Sequence, residues 1–231
     1  MSTQSLTVSH ASAAGREPSE SKPLLKDRAY AELKELIQTG VFAPNTFLSE
    51  RQLVQRLGMS KTPIRSALEH LEAQGLVAVS PQQGIVVKEL SAHEITDLYD
   101  MRTAIEPFIA VRLAGRGLAP GQLERAEKNL AAQRAAAAAD DGLTATRLDV
   151  EFHLLLAEFL DNREMMIWLT RCFDKLYRSI VRINTLAVGR LLQSYQDHAA
   201  VFEAIRTSRG EAAAQAMGEH VRFGKQFLLG E

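Results

Sequence analysis

A turn of three residues, Gly58-Met59-Ser60, separates two segments of helical periodicity and is too short to let them move apart. The first segment begins after Ser49, a typical N-cap residue. The second begins at Lys61, has Pro63 in its first turn, and ends at Gly75. A helix of about nine residues, a short turn containing glycine and a second helix form a helix-turn-helix.

The flanking segments extend this motif to a winged helix-turn-helix over residues 23–90. Apolar residues at helical spacing predict a preceding helix that ends at Gly40, and two β-like runs, 76–79 and 84–87, follow the motif. Residues 1–22 are polar and without periodicity, so we expect a flexible N-terminal tail.

The charge of the whole chain does not indicate nucleic-acid binding, but the local charge does. The net charge is −1, from 27 basic and 28 acidic residues. Between Arg51 and Arg65, however, there are four basic residues and no acidic one. Recognition helices present their N-terminal residues to the major groove, where an arginine can bridge two guanine acceptors. The alternative is a structural domain with solvated basic side chains.

From Ser91 onward the sequence predicts only helices. Ser91 and Glu94 are typical of a capping box, so a helix begins directly after the wing with almost no linker. The expected fold class is mostly α: an N-terminal winged helix-turn-helix followed, over residues 91–231, by an all-α bundle of six or seven helices. Pro107 is expected to kink or split the first of these helices. The predicted helices span residues 91–117, 120–140, 143–160, 163–184, 189–208 and 211–229.

Four polar side chains from three of these helices are predicted to point into the core. At about 100° per residue, Asp149 and His153 lie opposite the exposed face marked by Glu151. His198 and His220 each interrupt an inward apolar stripe. A single buried histidine is more often a core residue whose ring is hydrogen-bonded. An unpaired charge is costly to bury, however, so three histidines together with an aspartate favour a common function. This set suits Zn²⁺, Ni²⁺ or Mn²⁺, with positions left for water or a carboxylate.

Arg102 is a candidate effector-binding residue on an otherwise apolar stripe, and two interpretations are open. Its guanidinium could hold an effector carboxylate beside the metal, or it could pair with Glu106 one turn further along the helix. Asn184 is a second candidate for the same pocket.

A basic stripe on the helix over 163–184 is interpreted as a solvated face in preference to a second DNA contact. The stripe consists of Arg171, Lys175, Arg178 and Arg182.

The sequence also limits the environment in which the chain works. No apolar run approaches the roughly 18 residues of a membrane span, so we expect no membrane partner. The first twenty residues contain no continuous apolar segment of a secretory signal. Cys172, the single cysteine, cannot form an internal disulfide, which fits a cytoplasmic location.

Three segments between residues 24 and 90 resemble the N-terminal domain of GntR-family transcriptional regulators. They are 48–53 (Leu-Ser-Glu-Arg-Gln-Leu), 59–68 (Met-Ser-Lys-Thr-Pro-Ile-Arg-Ser-Ala-Leu) and the stretch from Leu71 to the Gly84 wing. The resemblance implies binding to double-stranded operator DNA. The residues that it implies for DNA contact are Arg51, Ser60, Lys61, Thr62, Arg65 and Gly84, and we add Pro63 from the same motif.

The helical part is similar to the FCD effector domain of the FadR branch of that family, over about residues 91–229. The similar segments are Asp149-x-x-Phe152-His153, Asp197-His198, Met217-x-x-His220-Val221 and Arg102-x-x-x-Glu106. Metal-binding members of the branch use one aspartate and three histidines. These match Asp149, His153, His198 and His220.

Together these features lead us to expect a transcriptional regulator and not an enzyme. It would bind a palindromic operator as a homodimer and respond to a small carboxylate at a divalent transition metal. Two alternatives remain open: a hydrolase in which the metal activates water, and a metal that only stabilises the bundle. Against the hydrolase, no glutamate or tyrosine is evident as a general base, and a winged domain has no role in hydrolysis.

Overall fold

The winged helix-turn-helix expected from the sequence is present in the computed structural model, which describes residues 24–80 and 84–230. The predicted tail over 1–22 and most of the predicted wing turn therefore lie outside the described residues. The elements of this part are α1 (Leu25–Gln38), β1 (Phe47–Leu48), α2 (Glu50–Leu57), α3 (Lys61–Ala73), β2 (Val77–Ser80) and β3 (Gly84–Val87).

Helix α2 begins and ends as its sequence predicts. The backbone N–H of Gln52 donates to the Ser49 hydroxyl at 3.3 Å, and the Gln52 side chain accepts from the Ser49 N–H at 2.8 Å. Gly58 ends α2 in the left-handed conformation at φ 64°. Ser60 occupies the N-cap position of α3, but its hydroxyl makes no capping hydrogen bond.

The sheet contains a strand that the sequence analysis missed. Its antiparallel order is β1-β3-β2, and β1 pairs Phe47 with Val86. Two residues are too few to show the period-2 pattern by which strands are recognised. Gly84 begins β3 with φ +85°, and a Cβ added there would lie 2.8 Å from the backbone oxygen of Leu48. The close pairing of β3 with β1 is therefore sufficient to explain why glycine occupies position 84, and no contact with DNA is needed to explain it.

The second half of the chain is a helical bundle whose boundaries agree closely with those predicted. Its helices are α4 (Ala92–Arg116), α5 (Pro120–Ala138), α6 (Gly142–Leu160), α7 (Arg163–Leu186), α8 (Arg190–Arg206) and α9 (Gly210–Leu229). The expected split at Pro107 does not occur: α4 continues through it, because the flanking Glu106 and Ile109 are buried in the bundle. Among the described residues, no helix combines the length and apolar character of a membrane span.

Helix α7 faces the winged part of the chain, so its basic stripe is only partly the solvated face that was expected: Arg171 and Arg182 are exposed, whereas Lys175 and Arg178 are half-buried. Asp174 forms an ion pair with Lys34 of α1 at 2.5 Å. The half-buried Arg178 donates to the backbone carbonyl of Lys88, in the connection between β3 and α4. Lys175 approaches Gly75 at the end of α3. The two parts are thus joined by side-chain contacts as well as by residues 88–91.

We expect Gly84→Ala to lower the free energy of unfolding by about 2–3 kcal/mol, because the new Cβ adds a steric clash to an unfavourable φ. Gly40→Ala is the matched control, since Gly40 has φ +79° with nothing within 4 Å of an added Cβ. This control should lose only about 1 kcal/mol. Urea unfolding measures both variants, and equal losses would contradict the close approach to β1.

Candidate metal centre and nucleic-acid interface

Three helices bring four ligand-type side chains to one point in the bundle. Helix α6 contributes Asp149 and His153 one turn apart, α8 contributes His198 and α9 contributes His220. All four residues are buried, and one candidate ligand atom from each lies within 4.8 Å of the others. The four residues predicted from the sequence as ligands are therefore brought together.

The imidazole nitrogens are spaced as ligands of one ion would be. The Nε2 of His220 lies 3.3 Å from the Nε2 of His153 and 3.2 Å from the Nε2 of His198. Nitrogens bound to a common metal at about 2.1 Å, with angles between 90° and tetrahedral, are about 3.0–3.4 Å apart. The side chains are thus prearranged for coordination.

The outer nitrogen of each ring faces an oxygen acceptor, and this fixes which nitrogen is left for a metal. The Nδ1 of His198 lies 2.8 Å from Oε1 of Gln133, and the Nδ1 of His153 contacts Oε2 of Glu106. The Nδ1 of His220 lies 3.2 Å from Oδ2 of Asp197. If each Nδ1–H donates to its acceptor, all three Nε2 lone pairs converge, and a cation is the natural partner for them.

One contact competes with this assignment at His220. Nη2 of Arg190 lies 3.1 Å from the same Nδ1, and an arginine can only donate. Arg190 also donates to Oδ2 of Asp197 at 3.1 Å. We assign the Nδ1 proton to the bond with Asp197, because this leaves both the carboxylate and the guanidinium with a partner.

Electrostatics keep two of the rings in the neutral form that a metal requires. Burial, reinforced by the neighbouring imidazoles, lowers the pKa of His198 well below its usual value. Burial also lowers the pKa of His220, although Asp197 acts in the opposite direction. Despite burial, which acts to raise it, Arg102 and His153 hold the pKa of Glu106 down at about 2. Glu106 is therefore ionised, and its Oε2 faces the Nδ1 of His153.

Asp149 completes a donor set that fits a divalent cation. Its Oδ1 accepts a hydrogen bond from Ser194 at 2.7 Å and lies 3.7 Å from the Nε2 of His198. Its other oxygen lies 4.0 Å from the Nε2 of His153. Three imidazoles and one carboxylate, each in contact with a second polar residue, form a donor set of the kind that binds a divalent metal.

The candidate effector residues lie beside this cluster, around a cavity of about 20 Å³. Arg102 donates to Glu106 at 2.5 Å, so the intrahelical pair expected as one alternative is present. Its guanidinium also lies over the ring of Phe173 and lines the cavity. Asn184 lines the same cavity and donates to Thr146 at 2.8 Å. The cavity has room for about one water molecule.

The predicted DNA-contacting residues divide into exposed and buried ones. Arg51, Ser60, Lys61, Thr62 and Arg65 are exposed, at the start of α2 and around the start of α3. Pro63 is buried in the first turn of α3, which leaves almost no surface for a DNA contact and argues against that prediction. The half-buried Gly84 is explained by its contact with β1, as described above.

Arg65 is already held by an acidic neighbour. Its Nε and Nη2 donate to the two carboxylate oxygens of Glu50 at 2.8 and 2.9 Å. The pair joins the recognition helix α3 to the first residue of α2, and both side chains remain partly exposed.

The sequence analysis missed the residues that support the metal ligands. Arg190, Ser194 and Asp197 share the face of α8 that carries His198, at spacings of four, three and one residues, a pattern that could have identified them. Gln133 on α5 carried no such signal, because its neighbours along α5 are mainly alanines. Glu106 was considered only as the partner of Arg102.

Comparison with protein families agrees with this architecture. The profile of bacterial regulatory proteins of the gntR family matches residues 25–87, and the profile of the FCD domain matches residues 97–223. The second match covers more than half of the chain.

Curated relatives match most of the chain. The HTH-type transcriptional repressor NanR of Cronobacter sakazakii is 30% identical, over 90% of this chain and 86% of its own. The HTH-type transcriptional repressor RspR of Escherichia coli K12 is 27% identical, over 86% of both chains. The HTH-type regulator YdhC of Bacillus subtilis is 29% identical, over 83% of this chain and 85% of its own. The matched families and relatives are transcriptional regulators, which are not enzymes.

Two solved structures have the same fold. McbR/YncC of E. coli superposes with a TM-score of 0.78 at 20% identity, covering 90% of this chain and 98% of its own. A GntR regulator of Rhodococcus sp. RHA1 superposes with a TM-score of 0.74 at 22% identity, covering 89% and 97%.

We expect His198→Ala to reduce the metal bound to the purified full-length chain from about one ion to background, because it removes one of four ligands. Elemental analysis by mass spectrometry measures this loss. His93→Ala is the control, since the His93 side chain is 86% exposed at the start of α4. Full metal occupancy in His198→Ala would contradict the ligand assignment.

Proposed function

Because the chain belongs to the GntR family of bacterial regulatory proteins and carries an FCD domain, we propose that it senses a small carboxylate at a metal and thereby controls its binding to operator DNA as a homodimer. The observation that carries the sensing half is the convergence of three imidazole Nε2 atoms beside a cavity lined by Arg102 and Asn184. A cytoplasmic location follows from binding to the bacterial chromosome and agrees with the single buried cysteine.

The metal in this proposal is Zn²⁺, Ni²⁺ or Mn²⁺, held by Asp149, His153, His198 and His220. These ions accept mixed nitrogen and oxygen ligands. The bound ion would supply an electrophilic centre for an effector carboxylate. The protein would supply the orientation of the rings, through Gln133, Glu106 and Asp197.

The effector would bind where Arg102 and Asn184 line the cavity. A guanidinium is suited to a carboxylate because it presents paired N–H donors. In the described conformation Arg102 is neutralised by Glu106, and a cavity of about 20 Å³ cannot hold a metabolite carboxylate. Binding therefore requires the surrounding side chains to move. This requirement would make the effector select a second conformation of the bundle.

Helix α7 offers a direct route from that cavity to the DNA-binding part. On one side, Phe173 packs 5.2 Å from the His153 ring and Asn184 lines the cavity. On the other side, Asp174 pairs with Lys34, and Arg178 donates to the Lys88 carbonyl. A displacement of α7 by the effector would pull on α1 and on the connection to the wing.

Helix α4 presents a face suited to the proposed homodimer. Its outward stripe is apolar or small over four turns and exposed, which is unusual for the surface of a monomer. The stripe consists of Met101, Ala104, Phe108, Val111 and Gly115. Its three- and four-residue spacing would allow the α4 helices of two chains to pack along each other. A two-fold dimer would match a palindromic operator.

We expect Arg65→Ala to weaken binding to a duplex selected by the wild-type protein by about 1–3 kcal/mol, because Arg65 reads a base edge. Fluorescence anisotropy at fixed salt measures the affinity. Arg206→Ala is the matched control, since Arg206 is an exposed arginine of α8 held by two bonds to Glu203. Equal DNA affinity of the wild type and Arg65→Ala would show that Arg65 does not contribute to the DNA interface.

We expect Phe108→Glu to shift the protein from dimer to monomer, because it places a charge in the centre of the α4 stripe. Phe108 is 47% exposed in the single chain, so the substitution leaves the core intact. Val188→Glu is the control, because Val188 is fully exposed outside the stripe. Sedimentation equilibrium reports the mass, and an unchanged dimer in Phe108→Glu would refute this interface.

We expect acetate, malonate or succinate to stabilise the metal-loaded protein and to change its DNA affinity. At 100 times its dissociation constant, a ligand specific for the folded state adds about 2.7 kcal/mol to the free energy of unfolding. Chelator-treated protein should show neither effect, because the metal anchors the carboxylate. A metal-loaded protein whose stability rises with metal alone, and never with a carboxylate, would favour the purely structural metal.

A further inference from the structure

The carboxylate of Glu50 lies on a surface where an acid weakens DNA binding. Its neighbours around the starts of α2 and α3 are the exposed cations Arg51, Lys61 and Arg65. A carboxylate at that position repels the phosphate backbone. As a first-turn acid Glu50 also stabilises the N-terminus of α2, but that role requires no contact with Arg65.

The geometry of the Glu50–Arg65 pair leaves a complete donor edge of the guanidinium free. Glu50 engages Nε and one N–H of Nη2, which form the lateral edge of the guanidinium. The terminal edge, made of Nη1 and the second N–H of Nη2, is not used by Glu50. The two acceptors of guanine in the major groove, O6 and N7, take such a pair of donors. Arg65 can therefore bond to Glu50 and to a guanine at the same time.

The pair also restricts the rotamers of Arg65 before DNA binds. Less side-chain entropy is therefore lost when the arginine contacts a base. The Arg65 side chain is 60% exposed, and without a partner it would sample many rotamers. A bidentate carboxylate fixes both the position and the plane of the guanidinium. Exposed ion pairs contribute little in water, but exclusion of water by bound DNA would strengthen this one.

We propose that Glu50 is a positioning residue that holds the guanidinium of Arg65 end-on towards the major groove and so makes the protein select guanine at the base pair that Arg65 reads. This inference rests on the proposed function, in which Arg65 contacts a base. It adds a specificity role for an acidic residue of α2. The rival arrangement is a latch, in which Glu50 merely keeps Arg65 away from DNA.

The test is selection of randomised 30-base-pair duplexes by the full-length protein, followed by sequencing and affinity measurement. The wild type should select a guanine in each half-site that Arg65→Ala no longer selects. Glu50→Gln keeps the size of the side chain but replaces one of the two acceptor oxygens with an NH₂ donor, so it cannot bind Nε and Nη2 of Arg65 through two separate oxygens. It should reduce the preference for that guanine by about tenfold while the other selected positions remain.

The controls separate positioning from stability and from charge. Glu203→Gln removes an equivalent exposed acid, bound through both oxygens to Arg206 on α8, and should leave the selected motif unchanged. The unfolding midpoint of Glu50→Gln should stay within a few degrees of the wild type. The salt dependence of its affinity should change little, because one repulsive charge is removed while the contacts of the basic side chains with phosphates are intact.

Each outcome decides between the arrangements. A Glu50→Gln protein that keeps the full guanine preference, whether or not its overall affinity rises, overturns the inference and favours the latch. A motif that survives Arg65→Ala overturns it as well, and also removes the base contact from the proposed function. A wild type that selects no motif contradicts the proposed function itself.

Discussion

Convergence of three imidazole nitrogens in the apolar centre of the bundle is the constraint on which the rest of the helical part depends. Nε2 atoms only 3.2 and 3.3 Å apart need either a shared proton or a cation between them, because two lone pairs facing each other repel. The chain meets that need by giving the outer nitrogen of each ring a separate oxygen acceptor from α4, α5 or α8. Helices that pack mainly through apolar contacts are therefore also linked by polar ones around the candidate ligands.

In the proposed function, the same polar network would allow effector sensing and DNA binding to share one small chain. Glu106 contacts His153, one of the candidate ligands, and also neutralises Arg102, which lines the cavity. The candidate ligands and the cavity lining therefore share one network of polar contacts. Helix α7 then runs from this set to the ion pair between Asp174 and Lys34. No separate linker has to carry the signal, because a single helix contacts both ends.

The sequence was sufficient for features that depend on local pattern and insufficient for those that depend on tertiary packing. The N-cap at Ser49, the capping box at Ser91 and the inward faces of the helices with the four candidate ligands follow from local pattern, and they were predicted correctly. The continuity of α4 through Pro107 was not predicted, because the free energy gained by burying that helix outweighs the backbone hydrogen bond that proline removes. The stripe containing Arg178 was taken as solvated because its partner, a backbone carbonyl, has no signature in sequence.

Helix α4 is an unbroken helix of 25 residues, separated from the last strand of the wing by only four residues. At 1.5 Å per residue it is about 37 Å long, close to one turn of B-form DNA. A tilt of about 5° at one end displaces the other by about 3 Å, which is nearly the axial step between neighbouring base pairs. In the proposed homodimer, a rearrangement around the candidate ligands that is too small to unfold any helix would thus be large enough to shift the two DNA-binding parts relative to their operator half-sites.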